Sequence, residues 1–193
     1  MYKLVITPDP VLVNRAEEVK KFDKKLHDII SEMSDTLNAT TDPVGVGLAA
    51  PQVGLPMRLF LTKPKEDSPI TAFINPVIVS SSAESGILTH KNSPKIEARK
   101  PAKSKKKLLE GCLSIPNIWG NVTRKKTVTV EYQDETGQRH HKKFTGFMAT
   151  IIQHETDHLE GTLFTKHVIT QGEKLYRSYK NEKGEEEFEE VKI

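Results

Sequence analysis

Between Phe22 and Leu37 the apolar residues fall at Phe22, Leu26, Ile29, Ile30, Met33 and Leu37, the three- and four-residue spacing that lines one face of an α-helix. An amphipathic helix is predicted there. The period then changes. "MRLFLT" and "TAFINPVIVS" are rich in β-branched and aromatic residues, and "KTVTVEYQD" alternates before "ETG" turns the chain into "QRHHKKFTG". These runs predict strands, mostly antiparallel. A second helix is predicted from about Phe147 in "FMATIIQHETDHLEG", where Phe147, Ile151, His154 and His158 share a stripe and Gly161 supplies the stop.

The segments between these elements are less regular. "TTDPVGVGLAAPQVGLP" sets Gly45, Gly47, Gly54 and three prolines around small residues, which predicts a shaped loop without regular structure. Residues Ser80 to Leu109 are polar, with two prolines and a lysine cluster, and predict a long insertion loop. The last segment, from Glu173, is a charged tail that reads as a hairpin turning at Lys183-Gly184 in preference to a frayed helix. The fold expected is α+β: small antiparallel sheets packed around a central, histidine-bearing helix, with an amphipathic helix toward the N-terminus. Residues 1–193 form one domain in this reading, with the basic insertion at about 80–109 and the charged tail at about 173–193.

Composition narrows the class. A chain of 193 residues can bury its own core, and a single cysteine, Cys112, excludes an internal disulfide framework. The N-terminal "MYKLVITPDPVLV" lacks a basic region followed by a sustained apolar stretch, and no window has transmembrane length, so the expectation is a cytoplasmic protein with no membrane association. A net charge of +3 does not point to nucleic-acid binding by the whole chain. Its distribution is uneven, however: Pro94 to Lys107 carries seven Lys or Arg against one Glu, whereas Glu182 to Glu190 is acidic. Both read first as solvated surface.

The second helix carries candidate chemistry. His154 and His158 lie one turn apart on the same face, and Glu155 is turned to the side of that stripe, the HExxH arrangement in which two histidines bind a metal and the glutamate acts as general base. Such a site needs a third protein ligand and leaves one position open. The extended metzincin pattern fails, because Phe164 stands where its third histidine belongs. Glu173, the acidic tail, His90, His140, His141 and His167 are candidates in surroundings that present them poorly. Cys112, in "EGCLS", is a further candidate, since a divalent ion can hold a soft thiolate beside two imidazoles.

With "GVGLAAPQ" at Gly45 to Gln52, "EGCLS" at Glu110 to Ser114 and "QHETDHLEG" at Gln153 to Gly161, in that order, the chain resembles the peptide deformylases. "PDPVL", "INP" and "GTLF" extend the likeness along nearly all of it. The resemblance implies hydrolytic removal of the formyl group from N-formylmethionine of newly made polypeptides, releasing formate. It implies Cys112, His154 and His158 as ligands of one divalent ion, Fe2+ first, with Zn2+, Ni2+ or Co2+ also accommodated. A metal-bound water would be the nucleophile and Glu155 the general acid and base, while the Gln52 amide and the Leu113 backbone N–H would stabilise the oxyanion. Gly45 and Gly47 would meet the substrate backbone, and Val46, Phe147 and Ile151 would form the methionine pocket. Arg124 matches a basic family position read as a structural ion pair. The implied partners are N-formylmethionyl nascent peptides and, through them, the ribosome. The long insertion, Trp119 at the groove rim and the tail depart from the common pattern, leaving peptide preference and ribosome contact open. An HExxH peptidase and an inactive relative that binds nascent chains or ribosomal RNA through the basic insertion are the competing readings. Oligomeric state is not legible.

Overall fold

A computed structural model describes residues 1–87 and 109–192. The predicted basic run at 94–107, most of the insertion and His90 lie outside the described residues. The described elements are α1 (Lys24–Asn38), β1 (Gly47–Ala49), β2 (Leu59–Thr62), β3 (Thr71–Ser81), β4 (Ser85–Gly86), β5 (Glu110–Cys112), β6 (Ile115–Gly120), β7 (Arg124–Lys125), β8 (Thr127–Gln133), β9 (Arg139–Thr145), α2 (Gly146–Leu159), α3 (Phe164–Thr170), β10 (Leu175–Lys180) and β11 (Glu186–Val191). Two short 3-10 turns accompany them. Among the described residues no helix is long and apolar enough to cross a membrane.

The strands form three antiparallel sheets, as the α+β reading expects: β1-β2-β3-β8-β9, β11-β10-β6-β5, and the small pair β4-β7. α2 belongs to the middle of this arrangement because its two faces differ. Ala149, Ile152 and Leu159 are fully buried and pack with Phe60, Phe73, Val128 and Val130 of the five-stranded sheet. Phe73 anchors that layer, its ring 4.8 Å from Phe60 and 4.4 Å from Tyr132. His154 and His158, about half a helical turn away, face instead toward a second cluster that contains Cys112, Phe164, Val168 and Leu175, with the His154 ring stacked 6.2 Å from Phe164.

α1 packs its apolar stripe, Leu26, Ile29, Ile30, Met33 and Leu37, against Leu48, Leu59 and Leu61 of β1 and β2. It begins two residues later than the apolar period suggests. Asp23 caps it, its carboxylate accepting the Leu26 N–H at 3.2 Å, so Phe22 precedes the helix.

Two expectations change, and the hairpin expected for the tail is present. The "GVGLAAPQ" segment is not loop throughout: β1 pairs with β2, and Ala50–Val53 forms a 3-10 turn. Burial of Leu48, Ala49 and Ala50 at 0% exposure gives the short strand a tertiary reason to form that its composition hides. The insertion is ordered at its start, since β3 runs to Ser81 and β4 pairs with β7 through Ser85 and Gly86. The charged tail is a hairpin that joins a sheet: β10 pairs with β11 over six positions and with β6 at Leu175–Arg177.

The end of α2 is fixed from outside. Gly161 has φ +66°, and a Cβ there would lie 2.5 Å from the Val13 carbonyl oxygen, so only glycine lets the chain leave the helix against that segment. Ala16 N–H donates to Leu159 O at 2.8 Å, and Arg58 bonds Glu160 at 2.6 Å and Pro76 O at 3.0 Å. The histidine helix is thereby held against the sheet on which it rests.

Candidate metal centre

Two neighbouring chain segments supply the donors. β5 ends at Cys112, a turn at Leu113 and Ser114 follows, and β6 returns antiparallel, so the thiol is presented at the tip of a tight hairpin. α2 presents His154 and His158 one turn apart, their ring centroids 5.0 Å from each other. Cys112 Sγ lies 3.2 Å from His158 Nε2. One ligand atom from each of Cys112, His154 and His158 falls within 4.8 Å of the others, and all three residues are buried. The other histidines named in the sequence reading are elsewhere: His140 and His141 bond Asp134 and Glu131 on and near β8 and β9, and His167 lies 2.9 Å from Asp157.

The ionic surroundings orient these donors. His154 Nδ1 lies 2.7 Å from Glu110 Oε1, which leaves its Nε2 for the cluster. Glu110 is held in turn by Arg124 through two bonds, at 2.5 and 3.1 Å, and Arg124 reaches Asp157 at 2.5 Å. Arg124 is 6% exposed, so this is a buried ion cluster whose members each depend on the others. Burial opposes ionisation of Glu110, but Arg124 and His154 outweigh it and hold the carboxyl at about 2. Burial likewise works against charging His154, and bonds to Cys112 and Glu110 overcome it, raising its pKa well above the ordinary value. Cys112 is pushed up by burial and pulled down further by His158 and His154, to about 5, so the thiolate is its form at neutral pH.

A divalent metal fits this set. It offers one thiolate and two imidazoles, the His154 ring is oriented by a carboxylate behind it, and the three ligand atoms converge. Glu155, 4% exposed, lies beside the cluster with Oε2 lacking a hydrogen-bond partner, and burial pushes its pKa up to about 7. Gly47 lies against the Glu155 carboxylate so closely that any Cβ would collide with it. Gln52 is oriented by the Ala49 N–H, which donates to Oε1 at 2.8 Å, and its Nε2 donates to Cys112 Sγ at 3.4 Å. A Cβ on Gly45 would come within 3.2 Å of the Leu113 side chain, which places the 45–47 segment beside the cysteine hairpin.

The proposed methionine pocket is less closely defined. Ile151 is buried, Val46 and Phe147 are half-buried, and none of the three belongs to a core cluster among the described residues. A cavity of about 420 Å³ opens at Cys112 and Leu113 but is lined by a different set, including Ile115, Pro116 and Trp119. The sequence reading missed Glu110 and Asp157 as parts of the site, although the spacing held a signal for each. Glu110 stands two residues before Cys112, on the same side of an extended strand, and Asp157 lies one helical turn after His154.

Residues 1–174 match the family described as polypeptide deformylase. Among curated relatives, a peptide deformylase of Christiangramia forsetii is 35% identical over 185 residues, covering 88% of this chain and 83% of the relative. One of Brucella suis is 39% identical over 168 residues, covering 86% and 83%. Among solved structures, the peptide deformylase of Thermotoga maritima superposes with a TM-score of 0.71 at 34% identity, covering 86% of this chain and 97% of that one. A Plasmodium falciparum peptide deformylase gives 0.71 at 35% identity, covering 86% and 85%.

Proposed function

The chain belongs to the peptide deformylase family and is a hydrolase, and from that premise we propose that it removes the formyl group from N-formylmethionine of nascent polypeptides by metal-dependent amide hydrolysis. The observation that carries the proposal is the convergence of Cys112, His154 and His158, with Glu155 and Gln52 beside them. Cys112, His154 and His158 would hold one divalent ion, Fe2+ in this reading, with Zn2+, Ni2+ and Co2+ compatible with the same donors. Bound there, the metal supplies Lewis acidity that polarises a carbonyl and acidifies water.

The chain's own residues do the rest. Glu155 accepts the proton of the attacking water on its unpaired carboxylate and delivers it to the departing methionine nitrogen. The Gln52 amide, pinned by Ala49, and the Leu113 backbone N–H donate to the oxyanion as the formyl carbon becomes tetrahedral. Gly45 and Gly47 receive the substrate backbone in this reading; a side chain at Gly47 would displace the Glu155 carboxylate, and one at Gly45 would press on Thr40 and Leu37. Val46, Phe147 and Ile151 receive the methionine side chain. Glu110 keeps His154 turned toward the cluster. The products are formate and a free amino terminus. A substrate carried by newly made chains supports action near the ribosome, with the cytoplasm as the compartment in this reading.

Formate release from formyl-Met-Ala-Ser tests this directly. Anaerobically iron-loaded wild type should release formate, and Cys112→Ser should lose both bound metal and activity. Wild type that stays inactive with every one of the four metals would sink the proposal, and a fully active Cys112→Ser would remove the thiolate from it.

A further inference from the structure

Two edge strands of the molecule carry opposite charge. β9 has one hydrogen-bonded neighbour, β8, and β11 has one, β10, so each leaves a row of backbone N–H and C=O groups open to another chain. β9 begins Arg139-His140-His141-Lys142-Lys143, and all of these but His140 are exposed. β11 begins Glu186-Glu187-Phe188-Glu189-Glu190, and all five are exposed. The other edges of the two larger sheets, β1 and β5, are three residues each and lie at the metal centre.

Neither charged edge is balanced from within. Among the described residues Arg139, Lys142 and Lys143 enter no ion pair. β11 sets its four carboxylates against two cations of its own hairpin, Lys174 at 2.6 Å from Glu190 and Arg177 at 3.8 Å from Glu189. Lys180, opposite Glu186 in register, lies instead 3.4 Å from Asp42 Oδ2. The hairpin is nevertheless well attached. β10 pairs with β6 at Leu175, Tyr176 and Arg177, and Leu175 packs in the cluster that contains Cys112. Trp119 Nε1–H donates to Ser178 Oγ at 3.0 Å, and the Trp119 ring meets Phe188 edge-on at 6.2 Å.

Charge decides which edges can meet. Two β9 strands, or two β11 strands, would set like charges directly opposite one another, which is unfavourable. β9 against β11 does the reverse. In an antiparallel register with His141 opposite Phe188, Arg139 falls opposite Glu190, Lys142 opposite Glu187 and Lys143 opposite Glu186. His140 falls opposite Glu189 but is turned onto Asp134 at 2.7 Å and stacked on Tyr132. Within the folded chain the two strands belong to different sheets and do not pair, so the complement of each edge is carried by a second copy.

We propose that β9 of one copy adds to β11 of another, joining the five-stranded sheet of the first to the four-stranded sheet of the second. The contact is heterologous, since it joins two different surfaces. It uses neither the metal ligands nor Glu155, so it does not depend on which reaction the centre performs.

Sedimentation equilibrium of the full-length, metal-loaded protein tests this. At about 0.01 M salt, where charges act over roughly 30 Å, the weight-average mass should rise with protein concentration, and at about 1 M salt it should return to that of the monomer. Reversing the matched charges of β9 (Arg139→Glu, Lys142→Glu and Lys143→Glu) or of β11 (Glu186→Lys, Glu187→Lys and Glu190→Lys) should weaken association by about tenfold or more. Bound metal and far-ultraviolet circular dichroism should stay at wild-type values in both. The first variant has two acidic edges and the second two basic ones, so an equimolar mixture should regain the association that neither shows alone. A chain carrying both reversals is complementary again and should associate as wild type does. Wild type that stays monomeric at low salt, association that either reversal leaves untouched, or a mixture of natively folded variants that stays monomeric would overturn the inference. Monomeric wild type that binds oligouridylate, with binding lost in the β9 variant, would assign the basic edge to nucleic acid and overturn it as well.

Discussion

The histidine helix and the carboxy-terminal hairpin both arrange opposite charges in pairs, but in different solvents. Around α2, Arg124, Glu110 and Asp157 are 6%, 12% and 22% exposed and bond one another at 2.5 to 3.1 Å. Along β10–β11, Arg177 and Glu189 face each other at 3.8 Å with more than half of each side chain in water. A buried network is costly to leave incomplete, so it constrains geometry; an exposed pair is screened and holds little. The first arrangement suits a reacting centre whose donors must not move. The second lets a hairpin form from a sequence dominated by glutamate, with Leu175 and the Trp119 contacts providing the attachment.

The contrast can be tested by substitution. Glu155→Gln should have the largest effect, lowering kcat by about 10²- to 10⁴-fold while leaving bound metal at one equivalent, because it removes the proton carrier and no ligand. Arg124→Met should cost about 3–5 kcal/mol in urea unfolding, since it strands the carboxylates of Glu110 and Asp157 in the interior. Glu110→Gln should weaken metal retention about 10- to 100-fold in chelator competition, because His154 loses the carboxylate that orients it. Arg177→Ala should leave the unfolding midpoint unchanged within error. If Arg177→Ala destabilised the protein as much as Arg124→Met, burial would not be what separates the two regions.

Much of this was legible in the sequence where a single period or motif carries the information. The α1 stripe, β2, β3, β8 and β9 follow from their patterns, and the three donors follow from two short motifs and a family resemblance. The rest depends on partners distant in the chain. β4 and β7 are two residues each and exist because they pair with one another across some forty residues. α3 spans seven residues, too few to display a period, and forms where Phe164 and Val168 are buried against the cysteine hairpin. Arg124 was legible as an ion-pair residue, but its partners Glu110 and Asp157 come from different elements and meet only in the fold. Trp119 could be placed at a groove rim by resemblance, whereas its support by Ser178 and Phe188 needed the register of β10 and β11.

Product analysis separates deformylation from peptide cleavage on one substrate. Mass spectrometry of formyl-Met-Ala-Phe-Ser after incubation with iron-loaded protein should find the intact tetrapeptide with a free amino terminus and one equivalent of formate. Shorter peptides with the formyl group retained, or an unaltered substrate in the presence of fully metal-loaded protein, would contradict the deformylation of N-formylmethionine at this centre.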